Sequence, residues 1–380
     1  MLSPSEVKTC SHTSMGRRYT HLVLVVILAA TSVLPYLVFL WMNDEAQNAE
    51  DMLVRWDDRT RADDAAAADG TSPNKFRAPR EVAVPIRICP EAMAKSHFAI
   101  ASMITVPAAD YKKFYQQGAA KLAVSIRRWS PNLDVDLIML LALEDSEREE
   151  TLVDTEMLAA SGWTVCRVGR IASPEKQGMK NRFLDSNMFS RLRLWELQEY
   201  RAILSLDTDM VVSKDISDIF SLYYPLMMQR GQSLAAAKDA LSAPCTNPDS
   251  LRTTFNAGTL LLIPSQALYL KLTRSVADTD AYDMTWAEQG LLNSVFTEGS
   301  YVELPFVYNA HMAEIACNRT RWGELQDDIA IFHYTVVKGW SMRHDLLDVI
   351  RGGEWTFTWL GALIWGTVHM CYVWDQIPVV

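Results

Sequence analysis

Two carboxylates follow an apolar stretch that is typical of a buried strand. Asp207 and Asp209 come directly after residues 202–206, which carry a single polar side chain. In an extended chain alternate side chains point to one side, so both carboxylates can bind the same hard divalent cation. Such a cation can bridge a diphosphate and neutralise the charge that develops as it leaves. We therefore predict metal-assisted chemistry on a phosphate-bearing substrate at Asp207-Thr208-Asp209, although such pairs also occur in solvated loops.

Two later clusters place polar side chains where a sugar could bind. Asn256 lies in residues 255–265, where we predict a strand after the Asn and Gly and a helix that opens at Pro-Ser. The alternative is a strand with a tight entry turn and no ligand. Glu288 and Gln289 stand side by side at a predicted helix start, where such side chains either bind hydroxyl groups or cap the helix.

A last cluster begins with an apolar strand that ends at His333. A histidine at the end of a strand suits a third metal ligand, although it is also common as a structural residue. Lys338 follows shortly after it, and a lysine can bind a diphosphate oxygen as a point charge. The cluster therefore fits the same metal-assisted chemistry as the two aspartates.

The elements that must position these residues belong to an α/β domain. From His97 onward, short β-branched runs alternate with helical stretches. The predicted strands cover residues 97–101, 135–140, 164–168 and 202–206, and the predicted helices cover residues 111–129, 147–160 and 190–200. In such folds ligands bind at the carboxyl ends of the strands, which is where the two aspartates stand.

The composition limits the class of protein. The chain has 380 residues, enough for one domain of about 250 residues with flanking segments. Its formal net charge of −10 argues against a nucleic-acid partner held through phosphate contacts. The six cysteines show no metal-ligand spacing, so we predict no zinc site. An oxidising compartment permits one or two disulfides, and the sequence leaves their pairing open.

An apolar run from Leu22 to Met42 has the length of a membrane-spanning helix. Basic residues precede it and acidic residues follow it, so the positive-inside rule places the N-terminus in the cytosol. A cleaved signal peptide is the alternative. We expect a single-pass type II membrane protein of the secretory pathway, in the Golgi. The sequon Asn318-Arg319-Thr320 agrees with a luminal domain.

These features divide the chain into five parts: a cytosolic tail (1–21), a transmembrane anchor (22–42), a stem (43–95), a catalytic domain (96–345) and an apolar C-terminal segment (346–380). The stem is rich in Ala, Asp and Pro and buries too little apolar surface to offset its ordering entropy. Residues 355–374 are almost uncharged and rich in Trp, which fits either a second membrane contact or packing against the domain.

The clusters, taken together and in this order, resemble glycosyltransferase family eight, the glycogenin-like enzymes. The similarity covers residues 97–340 and rests on the motifs FSRLRLW, LDTDMVV, FNAGTLLLIPS, EQGLLN, LPFVYN and HYTVVKGW. Residues 158–165 and the membrane context are most similar to the plant glycogenin-like starch initiation group of membrane-anchored transferases. A glycogen-priming role is not expected, because Ala316 stands where self-glucosylating members have their acceptor tyrosine.

The resemblance implies a GT-A fold, which is a Rossmann-like mixed sheet flanked by helices. It also implies a UDP-sugar donor, Mn2+ or another divalent cation, and retention of the anomeric configuration. The acceptor stays open among a glycan, a protein and a lipid, and the chain is compatible with a homo-oligomer. A haloacid-dehalogenase-type phosphotransferase and a sugar-binding relative without activity are the two alternatives that we carry forward.

Site residues are carried over from the family by position. Asp207, Asp209 and His333 are the expected metal ligands. Donor binding is expected at Tyr115 (uracil stacking), Arg182, Arg191 (usually Lys in the family), Thr208 and Lys338 (diphosphate), besides the two aspartates. Asn256, Glu288 (usually Asp) and Gln289 match sugar-site positions and, with Arg191 and Lys338, are the expected catalytic residues.

Overall fold

The structure is a computed structural model. It describes residues 87–89, 95–105, 112–143, 153–174, 188–239, 253–311, 319–335 and 377. The chain divides into two units, and all of these residues lie in the second unit, residues 82–380. The expected anchor 22–42, the C-terminal stretch 355–374, Arg182, Lys338 and the sequon residue Asn318 lie outside the described residues. Within the described part of the chain, no helix has the length and apolar character needed to cross a membrane.

Eleven strands are found in the described residues, and they form two sheets. They are β1 (Arg87–Ile88), β2 (Phe98–Thr105), β3 (Asp136–Leu143), β4 (Thr164–Gly169), β5 (Ala202–Leu206), β6 (Met210–Val212), β7 (Leu234–Lys238), β8 (Phe255–Leu262), β9 (Val302–Leu304), β10 (Ala310–His311) and β11 (Ile331–His333). The main sheet has the order β1-β4-β3-β2-β5-β8-β7-β9, and the small sheet has the order β10-β11-β6.

The main sheet is mixed, as expected. Strands β4, β3, β2 and β5 run parallel, whereas β8 is antiparallel to both β5 and β7. The chain leaves the main sheet after β5 and enters the small sheet at β6, where β11 pairs with it in the antiparallel direction. The junction between the two sheets is therefore made by residues 207–209.

Helices cover both faces of the main sheet. The α-helices are α1 (Lys112–Trp129), α2 (Thr155–Ala160), α3 (Tyr224–Arg230), α4 (Gln266–Ser275), α5 (Ala287–Val295) and α6 (Arg319–Leu325), and a 3₁₀ helix spans Met188–Glu196. On β3, Ile138 and Leu140 pack into the core that contains this 3₁₀ helix, while Leu137 and Met139 pack into the core that contains α1. Burial on both faces explains why this strand is apolar from Leu137 to its end.

The predicted strands and the first helix are confirmed, but two helices differ from the prediction. In the helix expected at 147–160, Val153 and Asp154 are not helical and the helix begins at Thr155, where Asp154 caps it by accepting a hydrogen bond from the Met157 N–H (2.8 Å); residues 147–152 lie outside the described part of the chain. The stretch 190–200 is not an α-helix but the 3₁₀ helix followed by a turn. Residues 189–195 are all buried, so this stretch has no exposed polar face of the kind that a surface α-helix shows.

The strand expected after Asn256 and Gly258 begins earlier, at Phe255. Both residues therefore lie inside β8, and the alternative of a tight entry turn is wrong. The reason is that Phe255 pairs with Lys238 of β7, while the side chain of Asn293 accepts a hydrogen bond from the Phe255 N–H and donates one to its carbonyl (both 2.9 Å). These two bonds supply the pairing that an additional strand would otherwise provide at this position.

The end of the expected stem 43–95 belongs to the folded domain. Arg87 and Ile88 form β1, which pairs antiparallel with β4. The adjacent Cys89 forms a disulfide with Cys166 of β4, with a Cα–Cα distance of 4.4 Å. This covalent link and the strand pairing together explain why the domain starts before residue 96. The sequence permitted one or two disulfides and left their pairing open, and this bond supplies one pairing.

Loss of the Cys89–Cys166 disulfide is expected to lower the free energy of unfolding by about 2–4 kcal/mol, because it closes a long loop in the unfolded chain. The bond spans a sequence separation of 77 residues. Thermal unfolding of the Cys89→Ala/Cys166→Ala variant and of the wild type, each with and without reductant, measures the effect. A wild type that unfolds at the same temperature as the variant in the absence of reductant would contradict this prediction.

Candidate active site

The backbone of three strands brings Asp207, Asp209 and His333 together. β5 ends just before Asp207, and β6 begins just after Asp209. The Asp207 N–H donates to the carbonyl of Gly258 on β8, and the Tyr334 N–H donates to the carbonyl of Asp209 (both 3.0 Å). His333 is the last residue of β11, which is paired with β6. Both aspartates and the histidine are therefore held by main-chain hydrogen bonds at the junction of the two sheets.

These three side chains form the one group of three potential metal ligands in the described residues. The His333 Nε2 lies 3.6 Å from Asp207 Oδ2 and 3.5 Å from Asp209 Oδ1. Asp209 and His333 are buried, whereas the Asp207 side chain is 24% exposed, so the group is open on one side. Two carboxylates and an imidazole suit a divalent cation. The predicted grouping of the three residues is confirmed.

A glycine gives His333 its space. A methyl group added at Gly258 would come within 2.8 Å of both His333 Nδ1 and the terminal carbon of Met210, and closer still to His333 Cε1. No side chain fits at such distances unless the imidazole moves. Gly258 is therefore required for the position of the histidine in the group.

Three polar residues near His333 were missed in the sequence analysis. Asn309 is buried, and its Oδ1 lies 2.8 Å from His333 Nδ1. His311 packs its ring against that of His333, with centroids 5.5 Å apart, and its Nε2 lies 3.7 Å from Asp239 Oδ1. Asn309 ends the motif LPFVYN, which is the one signal that could have identified it. His311 and Asp239 belong to no motif that we recognised.

Arg191 links the two aspartates to the predicted sugar site. Its guanidinium forms a buried ion pair with Asp207, donates to the Ala257 carbonyl (2.6 Å) and lies 3.5 Å from Glu288 Oε1. Burial disfavours its charged form, but the nearby carboxylates of Asp207, Glu288 and Asp209 outweigh burial and raise the pKa of Arg191 above its usual value. Arg191 is therefore a permanent cation beside the metal ligands.

Glu288 lies on the other side of that cation, near the start of α5. Burial raises the pKa of Glu288, Arg191 lowers it, and the carboxylate of Asp207 raises it again. The preceding residue, Ala287, has a φ of 46°, a strained conformation for a residue with a Cβ. Strain at such a position costs about 1–3 kcal/mol and is common beside functional groups. The N-cap position itself is Trp286, whose side chain makes no cap hydrogen bond.

Gln289 and Asn256 are both fixed by hydrogen bonds to β8. The Gln289 Oε1 accepts from the Ala257 N–H, and its Nε2 donates to Asp239 Oδ2 (both 2.9 Å). The Asn256 Oδ1 accepts from the Gly258 N–H (2.9 Å). Both amide side chains that were predicted to line a sugar pocket are therefore held on β8, and Gln289 also connects this strand to Asp239.

The other predicted donor-binding residues take different positions. Thr208 is buried between the two aspartates. Tyr115 lies near the start of α1 and is half-buried. Arg182 and Lys338 are outside the described residues, so their predicted contacts with the donor stay predictions.

Replacing Arg191 by methionine is expected to lower the free energy of unfolding by about 3–5 kcal/mol, because buried carboxylates lose their partner. A second substitution, Glu288→Gln, should restore part of this loss in a double-mutant cycle. Urea unfolding of the full-length variants provides the values. The matched control is Arg201→Met, since Arg201 is exposed, and it should stay within about 0.5 kcal/mol of wild type. Wild-type stability of Arg191→Met would show that no such pairing exists.

The domain has a mixed sheet with helices on both faces. An Asp-Asp-His group stands where the chain leaves the parallel strands. Together these features are those of a GT-A-like glycosyltransferase domain. The chain belongs to glycosyl transferase family 8, whose model matches residues 108–343, more than half of the 380. The resemblance found from the sequence is thereby confirmed. The haloacid-dehalogenase alternative is excluded.

Among known proteins, the chain is similar to UDP-glucuronate:xylan alpha-glucuronosyltransferase 1 of Arabidopsis thaliana, with 26% identity over 48% of this chain and 23% of the relative. It is also similar to galactinol synthase 4 of Arabidopsis thaliana, with 26% identity over 52% of this chain and 62% of the relative. A solved structure of the galactosyltransferase LgtC with donor and acceptor sugar analogs has 16% identity over 74% of this chain and 96% of that chain, with a TM-score of 0.46. The chain spans between 23% and 35% of the length of the xylan glucuronosyltransferases that it matches.

Proposed function

We propose that this protein is a metal-dependent glycosyltransferase that moves a hexose or related sugar from a UDP-sugar to an acceptor hydroxyl with retention of configuration. The observation that carries the proposal is the group formed by Asp207, Asp209 and His333, with Arg191 beside it. Carboxylates and an imidazole suit Mn2+ as well as other divalent cations. The names of the relatives support the donor, since several of them include UDP-glucuronate as the sugar nucleotide.

Departure of UDP needs positive charge, because the diphosphate gains negative charge as the sugar–phosphate bond breaks. A cation held by the three ligands would supply part of this charge. Arg191 supplies a further positive charge that is buried and permanent. Preorganised charge in a water-poor site is worth more than the same charge in water. Lys338 is proposed as a third positive group on the diphosphate, with Arg182 and Tyr115 holding other parts of the donor.

The sugar is proposed to lie beside Glu288, Gln289 and Asn256. Glu288 forms an ion pair with Arg191, so the residues proposed to bind the sugar lie next to a residue proposed to bind the diphosphate. The acceptor hydroxyl would add to the anomeric carbon from the face that UDP leaves, and the departing phosphate would take its proton. This same-face addition accounts for retention and needs no strongly activated nucleophile.

The acceptor is proposed to be a glycan, a protein or a lipid of the secretory pathway. Support for this location comes from the apolar run 22–42 and from the Cys89–Cys166 disulfide, since disulfides persist in oxidising compartments. A type II anchor would place the catalytic domain in the lumen, most consistently that of the Golgi.

The proposal is tested with the full-length chain, Mn2+ and a panel of UDP-sugars that includes glucose, galactose, xylose and glucuronate. Release of UDP is measured with and without EDTA. Turnover of one donor that depends on the cation supports the proposal and names the sugar. A folded chain that neither turns over any donor nor binds UDP in the presence of Mn2+ would overturn the donor-site assignment.

A further inference from the structure

We propose that Asn309 is a positioning residue that determines which ring nitrogen of His333 carries the hydrogen, so that the lone pair of the other nitrogen faces Asp207 and Asp209. It does so through a relay of two side-chain amides that begins at a backbone N–H. The inference rests on the proposed function in one respect: it assumes that the Asp-Asp-His group binds a divalent cation. Each step of the relay follows from the direction in which a hydrogen bond can be donated.

The relay begins at the backbone of Gly258. Its N–H donates to the side chain of Asn256 at 2.9 Å. A backbone N–H has no acceptor capacity, so the Asn256 atom that faces it must be the amide oxygen. The orientation of the Asn256 amide is therefore set by the main chain of β8.

The second step passes this orientation to Asn309. The same Asn256 oxygen lies 3.0 Å from the Asn309 Nδ2. Because an amide oxygen only accepts, Asn309 must turn its NH2 group towards Asn256, and its own oxygen then faces the opposite way. That oxygen lies 2.8 Å from His333 Nδ1.

The third step selects the histidine tautomer. The Asn309 oxygen can only accept, so the neutral His333 must carry its hydrogen on Nδ1. The lone pair of Nε2 then faces Asp209 Oδ1 at 3.5 Å and Asp207 Oδ2 at 3.6 Å. This lone pair and the carboxylate oxygens together provide the ligand atoms that a divalent cation needs. The other tautomer would instead place an N–H against the carboxylates, and that hydrogen bond would have to break before a cation could bind.

Burial makes the relay effective. Asn309 is 1% exposed and His333 is 2% exposed. Water therefore cannot readily replace the Asn309 oxygen, and a buried Nδ1–H without an acceptor would be costly. The relay also limits the part that Asn256 plays towards the sugar. Its oxygen is engaged by Gly258 and Asn309, so any contact with the donor must come from its amide nitrogen.

The test compares full-length wild type with Asn309→Leu, which has a similar volume and no polar atoms, and Asn309→Asp, which keeps an acceptor for Nδ1. Mn2+ alone is titrated and free Mn2+ is followed by electron paramagnetic resonance. Asn309→Leu is expected to bind Mn2+ roughly 10- to 100-fold more weakly, the usual effect of removing the partner of a ligating histidine. Asn309→Asp is expected to bind Mn2+ more tightly than Asn309→Leu, because its carboxylate still accepts from Nδ1–H, although it can no longer donate to Asn256.

A second readout reports the tautomer directly. Proton–nitrogen correlation spectra of 15N-histidine-labelled protein, freed of metal with EDTA, should show His333 with its hydrogen on Nδ1 in the wild type and in Asn309→Asp. In Asn309→Leu the hydrogen should move to Nε2. A wild type with the hydrogen on Nε2 would overturn the relay, even if Asn309→Leu did not fold. Equal Mn2+ affinity of wild type and folded Asn309→Leu would overturn it as well. A wild type that binds no Mn2+ would instead refute the proposed metal site, whereas the spectra would still decide the tautomer.

Discussion

Asp209→Asn is expected to lower cation-dependent turnover of the donor by roughly 100- to 1,000-fold, because one metal ligand worth several kcal/mol of charge stabilisation is weakened. The substitution keeps the shape of a side chain that is 5% exposed. It also leaves the ion pair of Arg191 with Asp207 intact, which makes Asp209 the cleaner of the two aspartates to replace. The measurement is the initial rate of UDP release with the donor that the panel identifies.

The matched control for this prediction is Asp218→Asn. Asp218 is exposed, stands in the same part of the chain and makes no side-chain cap hydrogen bond to the helix that follows it. Its rate should equal that of the wild type. An Asp209→Asn variant with the wild-type rate would show that the reaction does not use a cation at this group.

Gly258→Ala is expected to weaken Mn2+ binding at least tenfold and to lower the free energy of unfolding by about 1–3 kcal/mol. The added methyl group would lie within 2.8 Å of His333 Nδ1 and of Met210. Since His333 is buried and held in β11, the imidazole cannot move away without leaving the group of ligands. Calorimetric titration with Mn2+ and urea unfolding measure the two effects.

Gly323→Ala is the control for that substitution. Gly323 lies in α6, and a methyl group added there meets no atom within 4 Å. Alanine has the higher helix propensity, so the control should be as stable as wild type or more stable by up to about 1 kcal/mol. If Gly258→Ala kept the wild-type affinity for Mn2+, the close approach of β8 to His333 would have no functional consequence.

The metal ligands could be predicted because the two aspartates stand in one motif and the family resemblance added His333, although His333 reaches them only through the pairing of β11 with β6. Asp207 and Asp209 follow a five-residue apolar strand, and His333 ends a short one. In the structure residues 207–209 form a turn between β5 and β6, so both carboxylates share one side although the alternation expected of an extended chain does not apply there. The alternating strand and helix patterns predicted an α/β domain, whereas the mixed sheet was what the family resemblance implied.

The relay could not be predicted, because it depends on contacts between distant segments. Asn309 meets Asn256 across a sequence separation of 53 residues and His333 across one of 24 residues. The parallel pairing of β10 with β11 brings Asn309 to His333, and no local pattern reveals the register of these two short strands. The pairing of Cys89 with Cys166 was open for the same reason.

Arg191 shows how the type of helix changes a prediction. The family resemblance assigned it to donor binding, and an α-helix was expected around it. In the 3₁₀ helix Met188–Glu196 all residues from 189 to 195 are buried, and Arg191 binds Asp207 and the Ala257 carbonyl. Part of its charge therefore stabilises the site itself, which the sequence pattern does not indicate.

The most direct test of the central claim is calorimetric binding of UDP to the full-length chain in Mn2+ and in EDTA. If Asp207, Asp209 and His333 hold a cation that binds the diphosphate, UDP should bind at least tenfold more tightly with Mn2+ than with EDTA. The Asp209→Asn variant should lose that difference. Binding of UDP that is equally tight in EDTA, or a difference that persists in Asp209→Asn, would contradict the assignment of this group as the metal site of a glycosyltransferase.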